Sequence, residues 1–353
     1  MTTFAVRLRA AQRPTGSVPT LLWAALAVAF VVAVQFGAVA AAARDWWAPF
    51  DTTDAMSGSA HVLWQLRLPR ALLAVLVGAV LGLAGALTQG LFRNPMADPG
   101  LLGVTSGAAC AAALVLTVFA VAHRAVPSDW RLAVLPAAAF AGALVVCWAL
   151  DRIARWLTPG SVAGLLLTGL ALNAVTMAVV GLCTYLATDE QLRNLSFWTL
   201  GSLAGARWSV VALVAVVLAV CAWQARRLGH ALNALALGEA AAAHVGVDVG
   251  GLRTRLIVIV ALLSAIAVAW CGVIAFIGLM APHLVRAAAG ADQRRLLPLA
   301  MGAGALLLLV ADTVARTVVI PAEIPVGIFT SMIGGPAFLV LLRGVARQQG
   351  GHA

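Results

Sequence analysis

Long apolar runs recur along the whole chain, separated by short breaks rich in Arg, Pro and Gly. A run of about 20 apolar residues is the length of helix that crosses the hydrocarbon of a bilayer. Read this way, the pattern predicts ten spans, at about 21–43, 63–90, 100–122, 133–151, 162–187, 209–225, 255–271, 273–289, 297–315 and 325–342. The seventh and eighth run together through Gly272, so their boundary is the weakest signal. The first run follows Arg7, Arg9 and Arg13 and looks like a signal peptide. It is longer than the roughly 7–15-residue core of such a peptide, so a retained first span is expected.

Composition agrees with the pattern. The 353 residues are 63% hydrophobic and 10% charged, whereas soluble domains carry about 25% charged residues. The expected fold class is all-α, a polytopic membrane protein of about ten transmembrane helices. Ten spans use roughly 200 residues, so the loops are short and no soluble domain fits between them. The expected layout is an N-terminal tail over 1–20, a helical domain over 21–342 and a C-terminal tail over 343–353. The five cysteines, Cys110, Cys147, Cys183, Cys221 and Cys271, sit in apolar runs without C-x-x-C spacing and read as packing residues.

Charge sets orientation. The net charge is +10, and all 23 basic residues are Arg. With the N-terminus in the cytoplasm, that side holds Arg7, Arg9, Arg13, Arg93, Arg152, Arg155, Arg226, Arg227, Arg253, Arg255, Arg286, Arg294, Arg295, Arg343 and Arg347. Arginine excess marks the cytoplasmic face, and an even span count returns the C-terminus there too. No basic cluster exceeds a loop, so nucleic acid is not an expected partner. A Walker A phosphate loop needs Lys, and the chain has none. The H-E-x-x-H pattern is also absent.

The most informative break lies between Arg226 and Arg255. It is too polar to cross a bilayer, and Arg226, Arg227, Arg253 and Arg255 flank it. Two short helices are expected inside it, about 230–237 and 239–245, with Gly238 between them and Gly246, Gly250 and Gly251 after. A short helix lying flat at the membrane surface, offering the small residues Ala240 to Ala243, is shaped to be gripped by another protein. The plainer reading is an ordinary loop helix.

Four other stretches carry chemistry. Arg67 and Arg70 flank Pro69 at the outer start of span two; they can snorkel to headgroups or receive carboxylates from a docking partner. At the inner end of that span, Pro95 and Pro99 fix a non-helical turn over Asn94, Met96 and Asp98, either part of a gate or a plain loop. Thr158-Pro159-Gly160-Ser161 is a second such turn, a gate element or merely a helix break. Pro282 interrupts the eighth span beside His283, which suits a structural hydrogen bond or a proton carrier. Asp312 and Arg316 are four apart on one helical face and can pair; charge inside a membrane is expensive and often functional. Small residues four apart, as at Gly78 and Gly82, Gly103 and Gly107, Gly160 and Gly164, and Gly201 and Gly205, let helices approach closely within a bundle or across a dimer seam.

Three function classes compete. An ion-coupled secondary transporter would use Asp312 and His283 as proton carriers. An intramembrane hydrolase would need a positioned nucleophile; Ser106 is available, but no His falls at its depth. The third is an importer permease, and here the motifs converge. R-L-P-R at 67–70, N-P-x-A-x-P-G-x-L-G-x-x-x-G-A from Asn94 to Ala108, L-G-E at 237–239, G-L-x-x-P-H-x-x-R at 278–286, and A-D-x-x-A-R then P-V-G at 311–327 together resemble the membrane permeases of ABC importers for vitamin B12, ferric siderophores and haem.

The resemblance implies ten helices per subunit in a bacterial inner membrane. It also implies a homodimer around a central path, two cytoplasmic ATPases that bind the ATP, and an extracytoplasmic solute-binding protein. No cofactor is implied in this chain, and lipid surrounds it. Leu237, Gly238, Glu239, Ala243 and Gly246 fall in the family's ATPase-coupling segment, and Glu239 matches the family glutamate there. Arg67, Arg70 and Arg316 match the arginines that dock the binding protein. Asn94, Met96, Thr158 and Ser161 match the cytoplasmic gate, although Pro159-Gly160 departs from the family pattern.

Overall fold

The computed structural model describes residues 17–37, 42–48, 57–120, 126–319 and 322–350. Helix is the only extended regular element among them. The helices are α1 (Ser17–Gln35), α2 (Gly58–Phe92), α3 (Val104–Leu116), α4 (Ser128–Leu157), α5 (Val162–Leu186), α6 (Asp189–Thr199), α7 (Trp208–Ala236), α8 (Glu239–His244), α9 (Val249–Cys271), α10 (Ile277–Ala289), α11 (Gln293–Ala315) and α12 (Val326–Gly350). Seven of them, α1, α2, α4, α5, α7, α9 and α11, are long and apolar enough to cross a membrane. Three shorter apolar helices, α3, α10 and the described part of α12, complete a set of ten. The fold is the expected all-α, polytopic one.

α2 is the axis of the bundle. Of its most apolar window 83% is buried, against 11% for α1 on the periphery. Small residues permit this. A Cβ on Gly78 or Gly82 would overlap the Gly304 or Ala300 carbonyl of α11, and Gly304 in turn faces Gly78. Of the glycine pairs singled out in the sequence, this one is a helix–helix seam. Gly107 is another seam residue, packing on Gly142 and Val146 of α4. The other two pairs differ: Gly160 and Gly205 face open space, Gly164 makes room for the Thr158 side chain, and Gly201 lies against Val273.

Several spans depart from expectation. The first ends at Gln35 rather than near 43, for a reason given below. The third is a 13-residue helix, about 20 Å long, too short to cross alone; Pro99–Leu102 is a separate 3-10 turn, and Gly103 at φ +76° breaks the path. α7 runs straight through 230–236, so the first short helix expected in the polar break is its last turns. α9 likewise starts at Val249, capped by the Asp248 carboxylate. Between α9 and α10 the chain is non-helical from Gly272 to Phe276, both at φ +67°. Gly201, Gly272 and Gly327 let three backbone segments cross there almost in contact, a crossing any Cβ would block. The expected N-terminal tail falls mostly outside the described residues, and much of the expected C-terminal tail is helix, since α12 continues to Gly350.

All five cysteines are free thiols, four of them buried, as packing residues should be.

Candidate functional site

Charged residues gather at two opposite ends of the bundle. One end collects the C-terminal end of α2, the last turns of α7 and the start of α9. The other collects the start of α2 and the end of α11. Hydrogen bonds fix this order: the Trp208 indole at the head of α7 donates to Trp64 O near the head of α2 (3.0 Å), so these two run parallel, and Asn233 near the tail of α7 donates to Asp292 (2.7 Å) at the head of α11, which runs the opposite way.

At the first end stands α8. Gly238, at φ +115°, turns the chain out of α7, and Gly246, at φ +83°, ends α8. The Val247 N–H reaches the Ala242 carbonyl (3.0 Å) and the Gly246 N–H the Ala243 carbonyl (3.0 Å), a helix-terminating motif that glycine accepts without strain. Leu237 is 81% exposed and Val245 71%, and Ala243 and Gly246 beside Val245 are exposed too. These residues lie on the outer side of one small projection.

Glu239 faces inward from that projection. Its Oε1 accepts a hydrogen bond from Arg253 Nη2 on α9 at 2.9 Å, and Arg93 Nη2 approaches to 3.9 Å. Arg253 Nη2 also donates to Gly160 O at 3.0 Å. Arg93 is the residue before Asn94, and Gly160 lies between Thr158 and Ser161. One carboxylate therefore joins α8 to both turns singled out in the sequence, through Arg93 to one and through Arg253 to the other. The sequence pattern had pointed to Glu239 and to both turns, but not to Arg253 as the group that joins them.

Both turns are built rigidly. Arg93 ends α2 in the left-handed region, φ 49°, with the Asn94 N–H on the Gln89 carbonyl (3.1 Å). Asn94 Oδ1 accepts from the Met96 N–H (2.9 Å), and Asp98 Oδ1 from the Gly100 N–H (2.7 Å). In the second turn, Pro159 and Gly160 occupy the central positions, Gly160 has φ +78°, and the Ser161 N–H closes on Thr158 O at 3.1 Å. That is type II turn chemistry. Ser161 Oγ then caps α5 by accepting from the Gly164 N–H (3.0 Å). Asn173 of α5 adds a brace unforeseen from sequence, accepting from Ser106 Oγ and donating to Gly100 O.

Pro282 frees the Gly278 carbonyl, and α2 supplies the neighbour. That carbonyl lies against Gly85, while Gln89 donates to Leu279 O (3.2 Å) and accepts from Arg286 (2.8 Å). His283 is half-buried and makes none of these bonds.

At the opposite end Arg67, Arg70 and Arg316 do come together, turned inward. Asp312 is 2% exposed and sits between two guanidiniums. Arg70 grips it through Nε and Nη2 at 2.9–3.2 Å and holds Glu323 through Nη1 at 2.7 Å; Arg316 Nε approaches Asp312 at 3.8 Å. Arg67 donates to the Val34 and Gln35 carbonyls (3.3 and 3.1 Å), and Arg316 to those of Phe36 (2.9 Å) and Ala33. The last carbonyls of a helix lack intrahelical partners, and in a membrane that lack is expensive. Two arginines supply the partners, with Gly37 pressed against Arg67. This is why α1 stops at Gln35.

Among the described residues, ten apolar helices form one bundle, with α8 projecting from one end and joined through Glu239 to two turns, the architecture of a polytopic membrane permease. Residues 25–344 match the model of the FecCD transport family, and the chain belongs to that family. It is similar to the hemin transport system permease protein HmuU of Yersinia pestis, 43% identical over 341 residues, covering 94% of this chain and 98% of that one. The vitamin B12 import system permease protein BtuC of Serratia proteamaculans is 41% identical over 324 residues, covering 91% of each. Among solved structures, an inward-facing metal-chelate type ABC transporter matches with a TM-score of 0.78 at 31% identity, over 92% of this chain and 99% of that one. PsaBC from Streptococcus pneumoniae, at 15% identity and a TM-score of 0.56, shares the fold. The chain is thus a multi-pass permease subunit of an ABC importer and not itself an enzyme.

Proposed function

We propose that this permease carries a haem, a ferric siderophore or a cobalamin inward by alternating access, powered by two ATPase subunits that bind ATP and dock at α8. The working unit is a homodimer in the bacterial inner membrane, both termini cytoplasmic, served by an extracytoplasmic solute-binding protein. Kinship to a haem permease at 43%, to a vitamin B12 permease at 41% and to a metal-chelate type transporter supports the shared class of large metal chelates over any one cargo. The observation that carries the mechanism is the Glu239 junction. A push on α8 reaches the turn at Asn94 through Arg93 and the turn at Thr158–Ser161 through Arg253, so one motor contact moves both gate elements.

Docking of the binding protein at Arg67, Arg70 and Arg316 belongs to the same proposal, in a narrower form. Arg67 and Arg316 are committed to α1, so an incoming carboxylate competes chiefly with half-exposed Glu323 for Arg70.

The ion-coupled reading fits poorly. Asp312 is held between two arginines. His283, on the other arm of the α10–α11 hairpin, lies roughly 20 Å away along the helix axes by residue count. No direct proton step joins them.

The test replaces Glu239 with Arg, which sets three cations together at the junction. ATP-driven uptake by the complex in liposomes, and copurification of the ATPase, should both fall. Both quantities unchanged would remove α8 from the coupling route.

A further inference from the structure

A crevice of about 860 Å³ opens between α7 and α11, at the same end as α8. Its rim carries Arg226, His230, Arg294 and Arg295. Its floor is apolar, formed by Leu83, Leu297 and Met301. Trp223, with Arg227 stacked on its ring at 3.7 Å, forms a wall. Met301 lies seven residues beyond Arg294 on α11, about 10 Å deeper along the axis. The crevice therefore runs from a cationic mouth to a greasy floor along the α11 axis.

Asp292 also stands on the rim. Hydrogen bonds from the Asn233 amide (2.7 Å) and the Arg294 N–H (3.0 Å) hold its carboxyl below the usual aspartate range. It stays ionised, with both hydrogen bonds on its Oδ1. Three arginines against one carboxylate leave the mouth positive.

From this polarity profile we propose that the crevice binds an anionic phospholipid of the phosphatidylglycerol type. The phosphodiester sits among Arg226, Arg294 and Arg295, and the upper part of one acyl chain lies on Leu83, Leu297 and Met301. Basic pockets between transmembrane helices on the cytoplasmic side suit anionic headgroups, and Trp favours the headgroup level. A soluble anion would leave the apolar floor empty. A volume in the range that takes a drug-sized ligand accommodates a headgroup and the first part of a chain, the rest lying in the bilayer. The lipid would bridge the two helices at the level where α7 passes into α8. The inference goes beyond the transport reading and needs only that these helices span a membrane with this end at the cytoplasmic surface.

The experiment titrates the detergent-purified full chain, alone and in complex with its ATPase, with phosphatidylglycerol, phosphatidylcholine and inorganic phosphate. Bound ligand is counted by native mass spectrometry. Wild type should take phosphatidylglycerol saturably, at least about tenfold tighter than phosphatidylcholine, with phosphate failing to compete. Joint Arg226→Gln, Arg294→Gln and Arg295→Gln should weaken it about 100-fold, while the three Arg→Lys changes should retain it. Met301→Trp, which fills the floor and leaves the arginines in place, should also lose it. Helicity and elution volume show that the variants are folded, so the two routes to loss check one another. Equal affinity for both lipids, an unaffected Gln variant, competition by phosphate, or expulsion of the lipid when the ATPase binds would each overturn the proposal.

Discussion

Removing the Asp312 carboxylate should destabilise the protein far more than removing its neighbour Glu323. Asp312 is 2% exposed and counters Arg70 and Arg316, which are 15% and 11% exposed. Asp312→Ala leaves two guanidiniums side by side with only the 46%-exposed Glu323 as a nearby counter-charge. Breaking a buried pair from one side costs about 3–5 kcal/mol, because a charge is left buried without compensation. Glu323→Ala breaks a pair open to water, worth about 0–1 kcal/mol. For a chain of this size a kcal/mol moves the unfolding midpoint by about 2 °C. Asp312→Ala should therefore lower it by about 6–10 °C and Glu323→Ala by about 2 °C or less. The assay is the monodisperse fraction left after heating in detergent, read by size-exclusion chromatography. Asp312→Asn separates charge from shape and should fall between the two. Equal midpoints for the Asp312→Ala and Glu323→Ala variants would refute the clamp.

Gly82→Val should weaken the α2–α11 seam, since a Cβ there overlaps the Ala300 carbonyl; expression and the same heating assay read this, and a wild-type midpoint would mean that the seam is slack. Arg253→Ala frees the second turn from α8 while leaving the exposed face of α8 intact, so ATPase copurification should persist while uptake drops; loss of both together would show that Arg253 only shapes the ATPase contact. Glu323→Gln, which removes the competitor for Arg70 and leaves the Asp312 clamp and the α1 contacts in place, should tighten docking of the binding protein; unchanged affinity would take Arg70 out of the docking surface. Binding-protein affinity for the liposome-embedded complex, wild type against the Glu323→Gln variant, is the measurement.

How much of this was legible beforehand follows from the range of each cause. Local causes showed. The fifth span was expected at 162–187 and runs Val162–Leu186, because Ser161 caps it and Pro159-Gly160 ends its predecessor. The turn at Asn94 was announced by its prolines. α6 was missed although Thr188-Asp189-Glu190-Gln191 forms a capping box; its polar face hid it from a search for apolar runs. Long-range causes did not show. Arg67 and Arg316 read as outward-facing charges, since nothing near them announces the carbonyls of α1, 32 and 280 residues away. The break expected at Gly272 is there, but its extension to Phe276 did not show, because its apolar composition continues that of the helices on either side.

The central claim is that a motor gripping α8 drives cargo inward through this bundle. It is tested most directly by uptake into liposomes holding the permease, its ATPase and its binding protein, with haem, ferric siderophore and cobalamin offered in turn. One of these should accumulate with ATP inside the ATPase compartment and not without it, whatever the ion gradient. Accumulation that follows a proton or sodium gradient without ATP would contradict the account.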